Sequence, residues 1–72
     1  MVGEEIRRAR QKAGLSQEAV ADKAGLHRTY ISLVERNKKS PTLDTLFRIC
    51  QAIGVSATAI VKKVEDKRNE DS

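Results

Sequence analysis

Gln17-Glu-Ala-Val-Ala-Asp-Lys-Ala-Gly25-Leu-His27-Arg-Thr-Tyr-Ile-Ser-Leu-Val-Glu35-Arg36 is the stretch on which the fold turns. Ser16 precedes it as a natural N-cap, since its hydroxyl can accept from an amide of the first helical turn. The helical period breaks at Gly25 and resumes after His27. That break predicts two short helices joined by a turn of three or four residues. Such helices pack at a steep angle only if the turn contains a residue free to adopt positive φ, which Gly25 provides. A small side chain is also needed where the second helix crosses the first, and Ala21 is one. The inward positions Val20, Ala24, Leu26, Ile31 and Val34 are all apolar. This is the spacing of a DNA-binding helix-turn-helix, although a purely structural helical hairpin satisfies the same pattern.

The outward face of the second helix separates the two readings. Arg28, Thr29, Ser32 and Arg36 stand at i, i+1, i+4 and i+8, opposite Ile31 and Val34, and offer hydrogen bonds without an acid. Arginine can grip guanine bidentately, while threonine and serine can reach a base edge or a thymine methyl. Leu33 lies near this face, either to touch thymine methyls or to pack on its neighbours. His27, just before the helix, reads as a cap or a phosphate contact and not as a catalytic group.

The flanking sequence is helical as well. Glu4 to Ala13 places Ile6, Ala9 or Arg10, and Ala13 on one face, with acids first and Gly14 past the end. Asn37 to Pro41 forms a polar, basic loop. Thr42 caps a fourth helix with Leu43, Leu46, Ile49, Cys50 and Ile53 at core spacing and Gly54 as terminator. Ser56 opens a fifth, with Ala57, Ile60, Val61 and Val64 at i, i+3, i+4 and i+7. Glu65 to Ser72 has no apolar residue and reads as a frayed, flexible polar tail. The expectation is an all-α, compact bundle of five short helices: a domain over 1–64, a helix-turn-helix unit at 17–36 and a dimerisation helix at about 56–64.

Composition narrows the function. A chain of 72 residues holds one small domain, and at this size only about 60% of the unfolded surface is buried. A single cysteine, Cys50, and a single histidine leave no disulfide and no metal-ligand pair to compensate. Oligomerisation is the remaining common route. Phe47, Ile60, Val61 and Val64 could form the self-complementary apolar patch of a homodimer, or could instead close the monomer's own core. Apolar runs stop at three residues, as in Ala19-Val20-Ala21, which argues against a membrane span or a signal core. An unpaired thiol then reads as cytoplasmic. Two aromatics, Tyr30 and Phe47, are too few for single-strand stacking platforms. Phosphate loop, zinc-protease and nucleophile-elbow motifs are absent, so neither an enzyme nor a cofactor is expected. The net charge of +4 resides in residues 1–39, with nine bases against five acids, while 40–72 balances. A basic half suggests a polyanion-binding face.

Leu15-Ser16-Gln17-Glu18, His27 through Asn37, Pro41-Thr42-Leu43 and Ala52-Ile53-Gly54-Val55 together resemble the lambda-repressor-like helix-turn-helix family (Cro/cI or XRE type) over roughly residues 3–64. Arg28-Thr29-Tyr30-Ile31-Ser32 followed by Glu35-Arg36-Asn37 is similar in particular to the small controller proteins of restriction-modification systems. The resemblance implies that Gln17 holds a phosphate and buttresses the recognition helix, and that Arg28, Thr29 and Ser32 face the bases. It places Tyr30 at the sugar-phosphate or a distorted base step, with half-burial in the core as the other reading. Asn37, Lys38 and Lys39 would run along the DNA backbone. Arg10 and Glu35 match a partly buried ion pair, and Arg10 is a further candidate for the backbone. Leu33 and Phe47 depart from the family pattern. The function implied is a sequence-specific, double-stranded-DNA-binding transcriptional regulator, a homodimer on a palindromic operator with RNA polymerase as a further partner. Alternatives are a phage or plasmid repressor, an antitoxin-type regulator that also binds a protein, and a non-specific architectural binder.

Overall fold

A computed structural model describes residues 2–71 and places five helices in order: α1 (Val2–Lys12), α2 (Gln17–Ala24), α3 (Arg28–Glu35), α4 (Leu43–Ile53) and α5 (Ala57–Asp71). No strand occurs among the described residues. The starts follow from the expected caps. Ser16 Oγ accepts from the Ala19 amide at 3.0 Å, Thr42 Oγ1 from Thr45 at 3.2 Å and Ser56 Oγ from Ala59 at 3.4 Å. Each satisfies an amide that has no partner within its own helix. Gly25 takes φ +69°, and the Leu26 amide closes onto Ala21 O at 2.8 Å, so α2 stops in a left-handed turn that aims the chain into α3.

One apolar cluster joins the elements: Ile6 of α1, Val20 and Ala21 of α2, Ile31 and Val34 of α3, Leu46, Ile49, Cys50 and Ile53 of α4, and Ile60 of α5. α2 packs on α3 and α4, and α1 packs on α3, α4 and α5. Ala21 is buried at the crossing, as its size requires, and Leu26 packs half-buried against the cluster. Full burial of a side chain such as Ile31 contributes about 1.5–3 kcal/mol. Cys50 is one of the buried positions, and burial pushes its thiol pKa up.

Several boundary and burial expectations are corrected. Ala13 is exposed, because α1 ends at Lys12 and Leu15 N returns to Arg10 O at 3.1 Å. Leu43 is 64% exposed, since as the first residue after the Thr42 cap it projects ahead of the core stripe that starts at Leu46. Ile60 is 2% exposed and belongs to the monomer core, not to a surface patch.

The segment read as a frayed tail continues α5 through Asp71, while Met1 and Ser72 lie outside the described residues. The stretch after Val64 has neither glycine nor proline. Its opposite charges recur at helical spacing, as at Glu65 and Arg68 or Lys67 and Glu70. Lys67 Nζ also reaches Glu4 Oε2 of α1 at 3.8 Å. No single helix among the described residues is long and apolar enough to cross a membrane.

Candidate nucleic-acid interface

α3 is fixed from below and from its C-terminal end, which leaves its N-terminal half free. Ile31 and Val34 point into the core. Glu35, the last residue of α3, is 4% exposed, and its carboxylate is bonded on both oxygens. Arg10 Nε donates to Oε2 at 2.7 Å, while Arg10 Nη2 and Gln17 Nε2 donate to Oε1 at 3.0 and 3.2 Å. Arg10 Nη1 donates to Leu15 O at 2.9 Å. One carboxylate thus ties together α1, the turn after it, α2 and α3. Bidentate geometry of this kind is the strong form of a charge-assisted hydrogen bond. The bond and charge of Glu35 raise the Arg10 pKa above its ordinary value, against the opposing effect of burial.

This node corrects one expectation and refines another. All three guanidinium nitrogens of Arg10 donate within the protein, so Arg10 is not a free phosphate contact. Gln17, half-buried, braces the end of α3 within the protein, and its direct contact is Glu35.

Arg28 and Thr29 are exposed at the start of α3, and Ser32 follows one turn later, half-buried. These three share the accessible end of the helix. Arg36 does not join them: it is the C-cap residue, and its Nε lies 3.4 Å from Ser32 O of its own helix. Leu33 is half-buried between the two ends. His27 occupies the N-cap position but its ring makes no capping hydrogen bond, which removes the cap reading and leaves an exposed imidazole. Tyr30 is half-buried against the core, and Lys39 Nζ sits 5.9 Å from its ring centroid, within cation–π range.

The loop after α3 is ordered by hydrogen bonds. Asn37 has φ +59°, with its amide on Val34 O at 3.1 Å and the Lys38 amide on Leu33 O at 2.9 Å. Lys38 and Lys39 remain exposed. Asn37 Oδ1 accepts from Gly3 N at 3.1 Å, a contact across 34 positions that sequence reasoning did not foresee. Two further features escaped notice: Glu5, buried and paired with Arg8 at 3.1 Å, and Arg48, whose Nη2 caps Ala24 O at 2.8 Å. From Arg28 to Lys39 the only acid is Glu35, and it faces inward. The accessible surface of this segment therefore presents donors and positive charge, the chemistry that meets phosphates and base acceptors.

A second feature lies on α4 and α5. Leu43, Phe47 and Val61 are exposed and, with Ala57, line an apolar groove of about 410 Å³ edged by Thr58, Lys62 and Glu65. Val64 is half-buried and Ile60 is withdrawn into the core. Among the described residues no group of His, Cys, Asp and Glu is placed to hold a metal ion.

The sequence of residues 6–60 matches the helix-turn-helix family model HTH_3, and the chain belongs to that family. Its relatives are transcriptional regulators. The uncharacterized HTH-type transcriptional regulator y4dJ of Sinorhizobium fredii is 36% identical over 66 residues, covering 92% of this chain and 86% of the relative. The control protein C.SmaI of Serratia marcescens is 38% identical over 63 residues, 88% and 75% of the two chains. The crystal structure of the restriction-modification controller protein C.AhdI from Aeromonas hydrophila superposes with a TM-score of 0.79 at 30% identity, covering 82% of this chain and 89% of that one. The architecture is thus that of the lambda-repressor-like controller proteins.

Proposed function

We propose that this regulator recognises a palindromic double-stranded operator as a homodimer, in the cytoplasm, and controls a restriction-modification operon. The supporting observation is the acid-free, exposed start of α3, with Arg28 and Thr29 presented by a helix whose other end is clamped through Glu35. Recognition helices of this motif read bases with their N-terminal residues. Arg28, Thr29 and Ser32 therefore read, with Arg36 reaching the groove's edge. His27, Gln17, Lys38 and Lys39 supply phosphate contacts, and Tyr30 packs beside them. Regulation follows from occupancy at a promoter, with RNA polymerase blocked or assisted by the bound dimer. The controller subtype is favoured by the likeness to C.SmaI and C.AhdI.

Base readers and backbone contacts respond differently to truncation. Arg28→Ala lowers affinity for the operator by about 1–3 kcal/mol and leaves binding to mixed-sequence duplex nearly unchanged, whereas Lys39→Ala weakens both alike. Equal losses on both duplexes for Arg28→Ala would favour an architectural binder. If each copy neutralises about three phosphates, log affinity falls against log salt with a slope of about −5.

The second copy is seated on the groove of Leu43, Phe47 and Val61. Phe47, 52% exposed, is its aromatic side chain. Two copies lying side by side place their recognition helices about 34 Å apart, one turn of duplex. Phe47→Asp puts a charge into that contact, so sedimentation reports a folded monomer where the parent protein is a dimer. A variant that stays dimeric would move the interface elsewhere.

A further inference from the structure

The loop that carries Lys38 and Lys39 is anchored to two helices. Its ties to α3 are local: the Asn37 amide returns to Val34 O at 3.1 Å, the Lys38 and Lys39 amides return to Leu33 O at 2.9 and 3.3 Å, and Lys39 Nζ lies over the Tyr30 ring. Its tie to α1 is the Asn37 side chain, whose Oδ1 accepts from the Gly3 amide at 3.1 Å. We propose that Asn37 is a positioning residue: its side chain clasps the first turn of α1 and thereby sets the placement of Lys38 and Lys39 for contact with the DNA backbone.

Two features of the contact support this. Gly3 N is among the first amides of α1, which have no partner inside the helix, so Asn37 acts as an N-cap supplied from a distant part of the chain. The seat is also very close. A Cβ on Gly3 would collide with Val34 O and fall 2.7 Å from both Glu35 O and Asn37 Oδ1. The start of α1 therefore rests on the end of α3, which opposes the positive end of one helix dipole to the negative end of the other.

Asn37 is also the only non-glycine residue at positive φ among those described. Gly14, Gly25 and Gly54, which end α1, α2 and α4, take the same left-handed turn without a side chain. Asparagine tolerates this conformation less readily than glycine, and what it adds here is the Oδ1 acceptor. Lysines already held in place lose less freedom on binding than lysines on a loose loop, so the clasp strengthens contacts it does not itself make.

The inference rests on the DNA-binding reading, and the test separates the two. Asn37→Gly retains the turn but deletes the acceptor, while Asn37→Asp retains both. In the free protein, the amide of Gly3 loses hydrogen-exchange protection and the Lys38 and Lys39 amides become more mobile by NMR relaxation in Asn37→Gly. Asn37→Asp keeps both signals near those of the parent.

A short mixed-sequence duplex is the binding probe, because backbone contacts do not depend on sequence. Asn37→Gly weakens its binding by about three- to tenfold. In a Lys38→Ala/Lys39→Ala background the same substitution changes affinity by less than about twofold, because the lysines it acts through are gone. Undiminished loss in that background would make Asn37 a direct DNA contact and overturn the proposal, as would unchanged binding or unchanged loop mobility in Asn37→Gly. Failure of the parent protein to bind any duplex at low salt would instead refute the DNA-binding reading, and the clasp would then stand or fall on the free-protein signals.

Discussion

Glu35→Ala is expected to lower the stability of the domain by about 3–5 kcal/mol, the typical cost of removing one partner from a buried ion pair. The side chains of Arg10 and Glu35 are only 13% and 2% exposed, so the abandoned guanidinium has little access to water. It would keep its bond to Leu15 O and lose both bonds to the carboxylate, and the Gln17 amide would lose its acceptor as well. For a domain of this size each kcal/mol corresponds to about 4–8 °C in Tm, so the midpoint of thermal unfolding followed by circular dichroism would fall by roughly 12–40 °C. The pair need not stabilise the fold relative to an apolar replacement. Arg10→Met with Glu35→Leu removes both charges and should recover most of the loss. A Glu35→Ala protein that melts within a few degrees of its parent would mean that the node is not what fixes the end of α3.

Gly3→Ala is the second substitution with a severe outcome. The new methyl would meet the Val34 and Glu35 carbonyl oxygens, which are backbone atoms and cannot rotate away as a flexible side chain could. Either α1 shifts off α3 or the end of α3 unwinds, and the Asn37 clasp breaks in both cases. Forced overpacking usually costs about 1–3 kcal/mol, and contact with rigid carbonyls places this site at the upper end. In an ordinary exposed helix the same change would stabilise by roughly 0.5–1 kcal/mol, because alanine is the better helix former. The sign of the measured change in denaturant midpoint therefore distinguishes a tight helix-helix seat from a free helix start.

The helix-turn-helix was legible because its constraints are local and periodic. Ser16 and Gly25 mark the ends of α2 by cap chemistry, and Val20, Ala24, Ile31 and Val34 repeat at the period of a buried stripe. Arg10 and Glu35 could be paired because the family resemblance supplied a partner 25 positions away, which spacing along one helix cannot do. What stayed hidden depends on close approach between distant segments. Gly3 looks like any glycine near a chain start until Val34 O and Asn37 are placed against it. Leu43 and Ile60 both fit an apolar period, yet one is exposed and the other buried. Period gives a face, whereas the neighbours that cover the face come from the tertiary arrangement. The helix after Val64 is hidden for a related reason: the segment has no apolar residue to mark a face, and charge spacing and the contact of Lys67 with Glu4 carry it instead.

The clamp on α3 links these stability effects to the proposed recognition. Its inner face is fixed by the core, its end by Glu35 and its following loop by Asn37, while Arg28 and Thr29 remain exposed. A rigid surface of this kind suits the base reading proposed for it, because each misplaced hydrogen bond would then carry its full penalty.

Selection of bound sites from a random duplex library tests the proposed mode of action most directly. Enrichment of an inverted repeat, with half-site centres about 10–10.5 base pairs apart and two protein chains per duplex, is the predicted result. Recovery of sequences no different from the input library at low salt, or of a single unrepeated half-site bound by one chain, would contradict it.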